Sequence, residues 1–203
     1  MSNPNVGILH PVWAPMTGHT DGSMPTYGVG RVLQEARTAN ITKEIGNNPL
    51  YGDDRIVDDD NGVTGITVSF ENTGLSMEDR VVLLAEEVDN SGGGTSDDGQ
   101  WESDTPTPWG GFGYVRVMRE NGVVKFDAYL ILSLKFQESS QETATREGQI
   151  QWKTPTLDGR AQGLYVDSTG KLRFRKHKLF STSAAAFAWL DGKLNVPSGT
   201  VTT

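Results

Sequence analysis

The stretch Val124-Lys125-Phe126-Asp127-Ala128-Tyr129-Leu130-Ile131-Leu132-Ser133-Leu134-Lys135-Phe136-Gln137 decides how this sequence folds. Val124, Phe126, Ala128, Leu130, Leu132, Leu134 and Phe136 share one parity. Lys125, Asp127, Tyr129, Ile131, Ser133, Lys135 and Gln137 occupy the other. Successive side chains of a strand point to opposite faces, so the pattern predicts a strand with one apolar face and one largely polar face. At ~3.4 Å per residue it would run roughly 45 Å, against a usual strand of about six residues.

Working outward, Glu147 to Thr154 alternates again, with Ile150 and Trp152 on one side and Gln149, Gln151 and Lys153 on the other. The two segments are expected to form a long hairpin. Upstream, Thr64, Ile66, Val68 and Phe70 form one face of a predicted strand over 63–71. Ser76 and Asp79 have the spacing of a capping box, and Met77, Val81, Leu84, Ala85 and Val88 then recur at helical intervals. A strand is also expected over 27–44, and shorter strands over 112–119, 160–166 and 171–178. A second helix is expected over 183–191, with Gly192 as its stop. The expected fold is mainly β, an antiparallel sandwich or open barrel with one flanking helix and a short C-terminal helix.

Residues 1–26 hold Pro4, Pro11, Pro15 and Pro25 and are expected to form an irregular arm with one short strand near Ile8 to Trp13. Residues 27–192 form the expected β domain, and 193–203 a tail. Within the domain, 89–111 includes Ser91-Gly92-Gly93-Gly94 and Asp97-Asp98-Gly99 and is expected to be a mobile insertion loop.

The chain has 203 residues, ample for a sizeable core, and no cysteine, so disulfides and thiolate chemistry are excluded. Met1-Ser2-Asn3-Pro4 lacks a basic segment followed by an apolar run, and no signal peptide is expected. No apolar stretch approaches the ~20 residues of a membrane helix. The net charge of -8 disfavours nucleic-acid affinity, which comes mostly from Lys and Arg at phosphates.

Motifs for chemistry are missing. His10, His19 and His177 have no metal-ligand spacing, and no GxSxG elbow accompanies them. Asp58-Asp59-Asp60-Asn61-Gly62 fails as an EF-hand loop, because its first and twelfth positions would be Val57 and Val68. No Walker motif is present, and Gly28-x-Gly30 lacks the third glycine of a dinucleotide fingerprint. The expectation is a protein that is no enzyme and binds no metal or cofactor. Lys171, Arg173, Arg175, Lys176 and Lys178 form a basic strand without an intervening acid, while positive charge is scarce over 50–104. Such segregation suits contacts between neighbouring copies.

In order and spacing, residues 47–54 (NNPLYGDD), 62–75 (GVTGITVSFENTGL), 76–87 (SMEDRVVLLAEE) and 113–161 (GYVRVMRENGVVKFDAYLILSLKFQESSQETATREGQIQWKTPTLDGRA) resemble the major tail proteins of phages with long, non-contractile tails. The arm 1–26 and the stretch 89–111 stand outside that pattern. The resemblance implies a virion protein, made in the host cytoplasm, that forms hexameric rings stacked into a tail tube. DNA would pass through without specific binding, and tape-measure and tail-terminator proteins would be partners. Asn47, Asn48, Pro49, Leu50, Tyr51, Asp53, Asp54, Arg55, Asp58, Asp59 and Asp60 would form the loop that meets the adjacent ring. Lys125, Asp127, Ser133, Lys135, Gln137, Glu147, Gln149, Gln151 and Lys153 are the candidates to line the channel. A competing expectation is a glycan- or receptor-binding tail accessory, motivated by Trp101 and Trp109.

Overall fold

The computed structural model describes residues 5–33, 36–46, 48–52, 55–60, 62–89, 98–100, 106–140 and 154–197. In chain order the elements begin with β1 (Asn5–Gly18), β2 (Thr26–Tyr27), β3 (Arg31–Val32), β4 (Ala36–Ile45), β5 (Asn48–Gly52), β6 (Arg55–Asp60) and β7 (Val63–Asn72). Helix α1 (Met77–Leu84) follows, then β8 (Glu87–Asp89), β9 (Asp98–Gln100), β10 (Gly110–Glu120) and β11 (Val123–Ser140). The chain continues with β12 (Thr156–Ala161), β13 (Leu164–Tyr165), β14 (Leu172–Arg173), β15 (Arg175–Phe180) and α2 (Ser183–Lys193). Among the described residues the fold is mostly antiparallel β-sheet with two helices, and the alternation predicted the sheet.

Strand β11 organises the molecule. It is joined to β10 by Asn121 and Gly122, whose φ values of 51° and 82° fit a tight two-residue hairpin. On its other edge it pairs twice. Phe126 to Ile131 lie against β15, and Leu134 to Ser140 against β12. The sheet therefore divides at the middle of β11. One branch runs β2-β1-β10-β11-β15, and the other continues through β12 and β7 to β4. The inner faces of the branches enclose Trp13, Phe70, Phe112, Phe136, Ile131, Leu134 and Leu157. Phe112 packs edge-on against Phe70 and Phe136, with centroids 5.2 Å away in each case. Helix α2 covers the other face of β1, β10 and β11, burying Val12, Val115, Ala128, Leu130, Leu132, Ala186 and Leu190.

The seven apolar residues expected on one face of β11 therefore do not share one core, and Val124 is exposed outside both. Ala128, Leu130 and Leu132 face α2, whereas Leu134 and Phe136 join Ile131 inside the sandwich. The cause is a β-bulge. Gly110 pairs with Leu134 and Phe112 with Ile131, so β11 carries one more residue than β10 over that step, and parity inverts.

The N-terminal arm is also more regular than its prolines predicted. Strand β1 spans 14 residues and pairs with β10. Its register breaks between Leu9 and Val12, where His10 has φ 51°, and Pro11 sits within this irregularity. Gly110 and Gly111 belong to β10 rather than to the insertion. A Cβ on Gly110 would lie 2.3 Å from the Trp13 ring, so this close crossing requires glycine. Residues 90–97 and 101–105 lie outside the described residues, and β8 pairs with β9 at the base of that segment.

Both helices have the predicted starts. Ser76 and Asp79 make the capping box, and the Thr182 hydroxyl accepts the Ala185 N–H. The predicted stripe of α1 is corrected. The helix ends at Leu84, before left-handed Ala85, and it buries Leu83 while Val81 stays exposed. Helix α2 continues through Gly192 to Lys193, and Asn195, at φ 51°, turns the chain after it. The single strand expected over 27–44 is instead β2, β3 and β4. The strand expected over 160–166 is the end of β12 and β13.

Candidate functional site

Three surfaces bring together the residues singled out in the sequence. The first is the segment 47–60, expected as a loop. Strands β4 and β7 pair from Ala36↔Asn72 to Ile45↔Val63, the Gly46 N–H donates to the Gly62 carbonyl at 2.9 Å, and β5 and β6 pair from Asn48↔Asp60 to Gly52↔Arg55. The acidic segment is therefore the outer part of a β-ribbon that continues the β4–β7 hairpin. Among the described residues β5 and β6 pair only with each other. Asn47, Asp53 and Asp54 lie outside the described residues.

The second surface is the face of β11 carrying the expected lumen residues, and here the expectation needs correction. Asp127 is buried. Its carboxylate accepts from Arg116 Nη2 at 3.1 Å and lies 3.2 Å from His177 Nδ1. Ser133 is buried at the bulge. Neither lines water in the free subunit, because β10, β15 and the bulge enclose them. Lys125 pairs with Glu120, Lys135 lies over the Trp109 ring at 5.0 Å, and Gln137 is exposed. Glu147, Gln149, Gln151 and Lys153, with the strand expected there, lie outside the described residues. The second strand of the expected hairpin is instead β12.

A cluster that alternation did not reveal lies beside Asp127. Tyr114, Tyr129 and His177 are register neighbours on β10, β11 and β15 and stack across the strands with centroids 5.5 Å apart at each step. The guanidinium groups of Arg116 and Arg175 lie 4.9 Å and 5.2 Å from the Tyr129 ring centroid. Arg116 Nη2 also donates to the Tyr129 hydroxyl at 2.7 Å. Burial pushes the Tyr114 hydroxyl up to about 12 and also raises Tyr129, so both phenols stay protonated at neutral pH. The signal for this cluster was pairing register, which no single strand displays.

The third surface is the basic strand. It divides at Phe174, whose carbonyl accepts the Leu132 N–H at 3.0 Å, into β14 and β15. Lys171, Arg173, Lys176 and Lys178 are exposed, Arg175 is half-buried on Tyr129, and Arg173 contacts Asp167 at 3.4 Å. Among the described residues β15 pairs only with β11, so its outer edge offers unpaired backbone groups. The outer edge of β4 is likewise unpaired among those residues.

The histidines are dispersed. His10 meets Asp191 at 2.7 Å and stacks on Phe187, whereas His19 meets the Tyr165 carbonyl at 3.2 Å. Trp109 and Tyr165 line a hollow of about 650 Å³ with His19, Asp21 and Arg160. Trp101 lies outside the described residues.

No protein-family model matches the sequence, and no curated protein does. Among solved structures, the chain is similar to one from "Cryo-EM structure of the anti-feeding prophage (AFP) baseplate, 6-fold symmetrised". That alignment has 9% identity, covers 90% of this chain and 99% of that chain, and has a TM-score of 0.31. So shallow a likeness carries no argument about function.

Proposed function

We propose that this chain is a structural subunit of a phage tail tube, in which copies join edge to edge into rings, six to a ring, and the rings stack around a channel for DNA. The observation that carries this reading is that, among the described residues, the outer rims of β4 and β15 are unpaired on a sandwich that encloses an apolar core. An unpaired edge strand is a template for another chain. Two different rims on one subunit suit a head-to-tail contact, which closes a ring when the rotation fits. The motif order of residues 47–161 supports the same assignment, with the β5–β6 ribbon in the place of the segment that meets the next ring.

In this reading the chain acts by shape and charge, without catalysis or cofactor, and it resides in the virion tail. Tape-measure and terminator proteins would be its neighbours, and DNA would pass without being held. The surplus of carboxylates fits that passage. The test is sedimentation and negative-stain microscopy of the purified chain over a range of concentrations and salts. Rings or tubes are expected. A monomer under all conditions, together with virions carrying the chain but no tube, overturns the proposal.

A further inference from the structure

Beside the basic strand lies a cleft of about 500 Å³ between the β4–β7 hairpin and β14. Lys43, Lys171, Arg173 and Arg175 line it together with Leu172 and Phe174, which supply apolar surface. Leu172 is 48% exposed, unusual for a leucine beside four cations. Among the described residues no ion pair links Lys43, Lys171 or Arg175 to a carboxylate, and only Arg173 has such a contact, with exposed Asp167. In a chain of net charge -8 this cleft concentrates positive charge with little local compensation.

The complementary chemistry is in the same chain. Residues 53–60 hold five carboxylates and one guanidinium, with Ile56 and Val57 beside Asp58, Asp59 and Asp60. Of these, Arg55–Asp60 form β6, one strand of a ribbon whose two strands pair only with each other among the described residues. An acidic-apolar strand suits a cleft lined by both cations and apolar side chains, because like-charged alternatives are repelled while apolar area is buried.

We infer that this cleft receives the Arg55–Asp60 strand of a second copy in the adjacent ring. This rests on the tube reading and names the surface that accepts the ribbon. The contact is heterologous, because the strand of one copy meets a different surface, the cleft, of the next, and such contacts repeat from copy to copy.

The test is a charge swap in trans. One variant carries Lys43→Glu with Lys171→Glu, and the other Asp58→Lys with Asp59→Lys. All four changes are at polar, charged positions, and thermal melts would check that each variant folds. Each variant alone should still form rings but need about tenfold more protein to stack, since cleft and ribbon then repel. An equal mixture should stack near the wild-type concentration, each ribbon meeting the other variant's cleft. Wild-type stacking with variants that stack equally well overturns the inference and leaves the tube reading intact. So does a mixture that fails to rescue when both changes in one chain do, because the contact is then within a chain. A wild type that forms neither rings nor stacks overturns both readings. If a variant fails to fold, salt decides: stacking of wild type must weaken as ionic strength rises, and stacking indifferent to salt sinks the inference.

Discussion

Ile131 and Leu134 point into the same core although three positions separate them, an arrangement that a regular strand forbids. The bulge between them sends Leu132 to α2 and Leu134 into the sandwich, so one strand supplies two cores. Leu132→Ala and Leu134→Ala should each cost about 2–5 kcal/mol. Because the two side chains face different cores, the double variant should lose the sum of the single losses within about 0.5 kcal/mol. Urea unfolding of the three variants measures this. Strong coupling between the two sites would place them on one face and rule out the bulge.

Asp127 anchors the polar end of the strand. Removing its carboxylate leaves Arg116 and His177 without their shared acceptor beside the tyrosine stack. The Arg116 side chain is 31% exposed, so water recovers part of the loss. Asp127→Ala is therefore expected to cost about 1–3 kcal/mol, and Asp127→Asn, which retains an acceptor, less. Equilibrium denaturation separates the two. Equal stability of both variants and the parent would show that the triad contributes only geometry.

Tyr114 gives the fold an alkaline limit. An exposed phenol ionises near pH ~10, whereas burial holds the folded Tyr114 hydroxyl protonated up to about 12. Between those values the unfolded chain binds fewer protons than the folded one. Stability is then fully present below the unfolded value and falls as pH rises through the window, by about 1–3 kcal/mol from this group. Tyr27, also raised by burial and donating to the Leu132 carbonyl at 2.7 Å, acts in the same direction. Tyr114→Phe should flatten the decline between pH 10 and 12, measured by chemical denaturation at stepped pH. An unchanged slope would mean that the phenol ionises in the folded state as readily as in water.

What the sequence disclosed follows the range of the interactions. The capping box of α1 was legible because Ser76 and Asp79 meet within one turn, and the strand around Phe70 because alternation is local. The length of β1 was hidden because Pro11 is tolerated only within an irregularity that pairing with β10 creates. Gly192 misled as a helix stop because packing of Leu190 and Leu194 carries α2 past it. At the site, the cations of residues 171–178 were visible as composition. Their unpaired edge, the cleft beside Lys43 and the Tyr129–His177 stack depend on which strands become neighbours. Asp127 alternates onto the polar parity in the sequence, and the strands that cover it come from elsewhere in the chain.

The ribbon offers the sharpest separation of folding from assembly. Strands β5 and β6 lie beyond Ile45↔Val63, and neither belongs to the nine-stranded sheet that encloses the core. Replacing residues 47–61 by Asn-Gly, so that a two-residue turn joins Gly46 to Gly62, shortens the hairpin without removing a residue of either core. The shortened chain should melt within about 4 °C of the parent, since at most about 1 kcal/mol of local pairing is lost. It should close rings through its sheet rims yet fail to stack them, because the segment that reaches the next ring is gone. Sedimentation velocity would then show a ring-sized species that does not grow with concentration. Tubes of ordinary length from the shortened chain would assign stacking to another surface, and loss of rings together with tubes would make the ribbon part of the lateral joint.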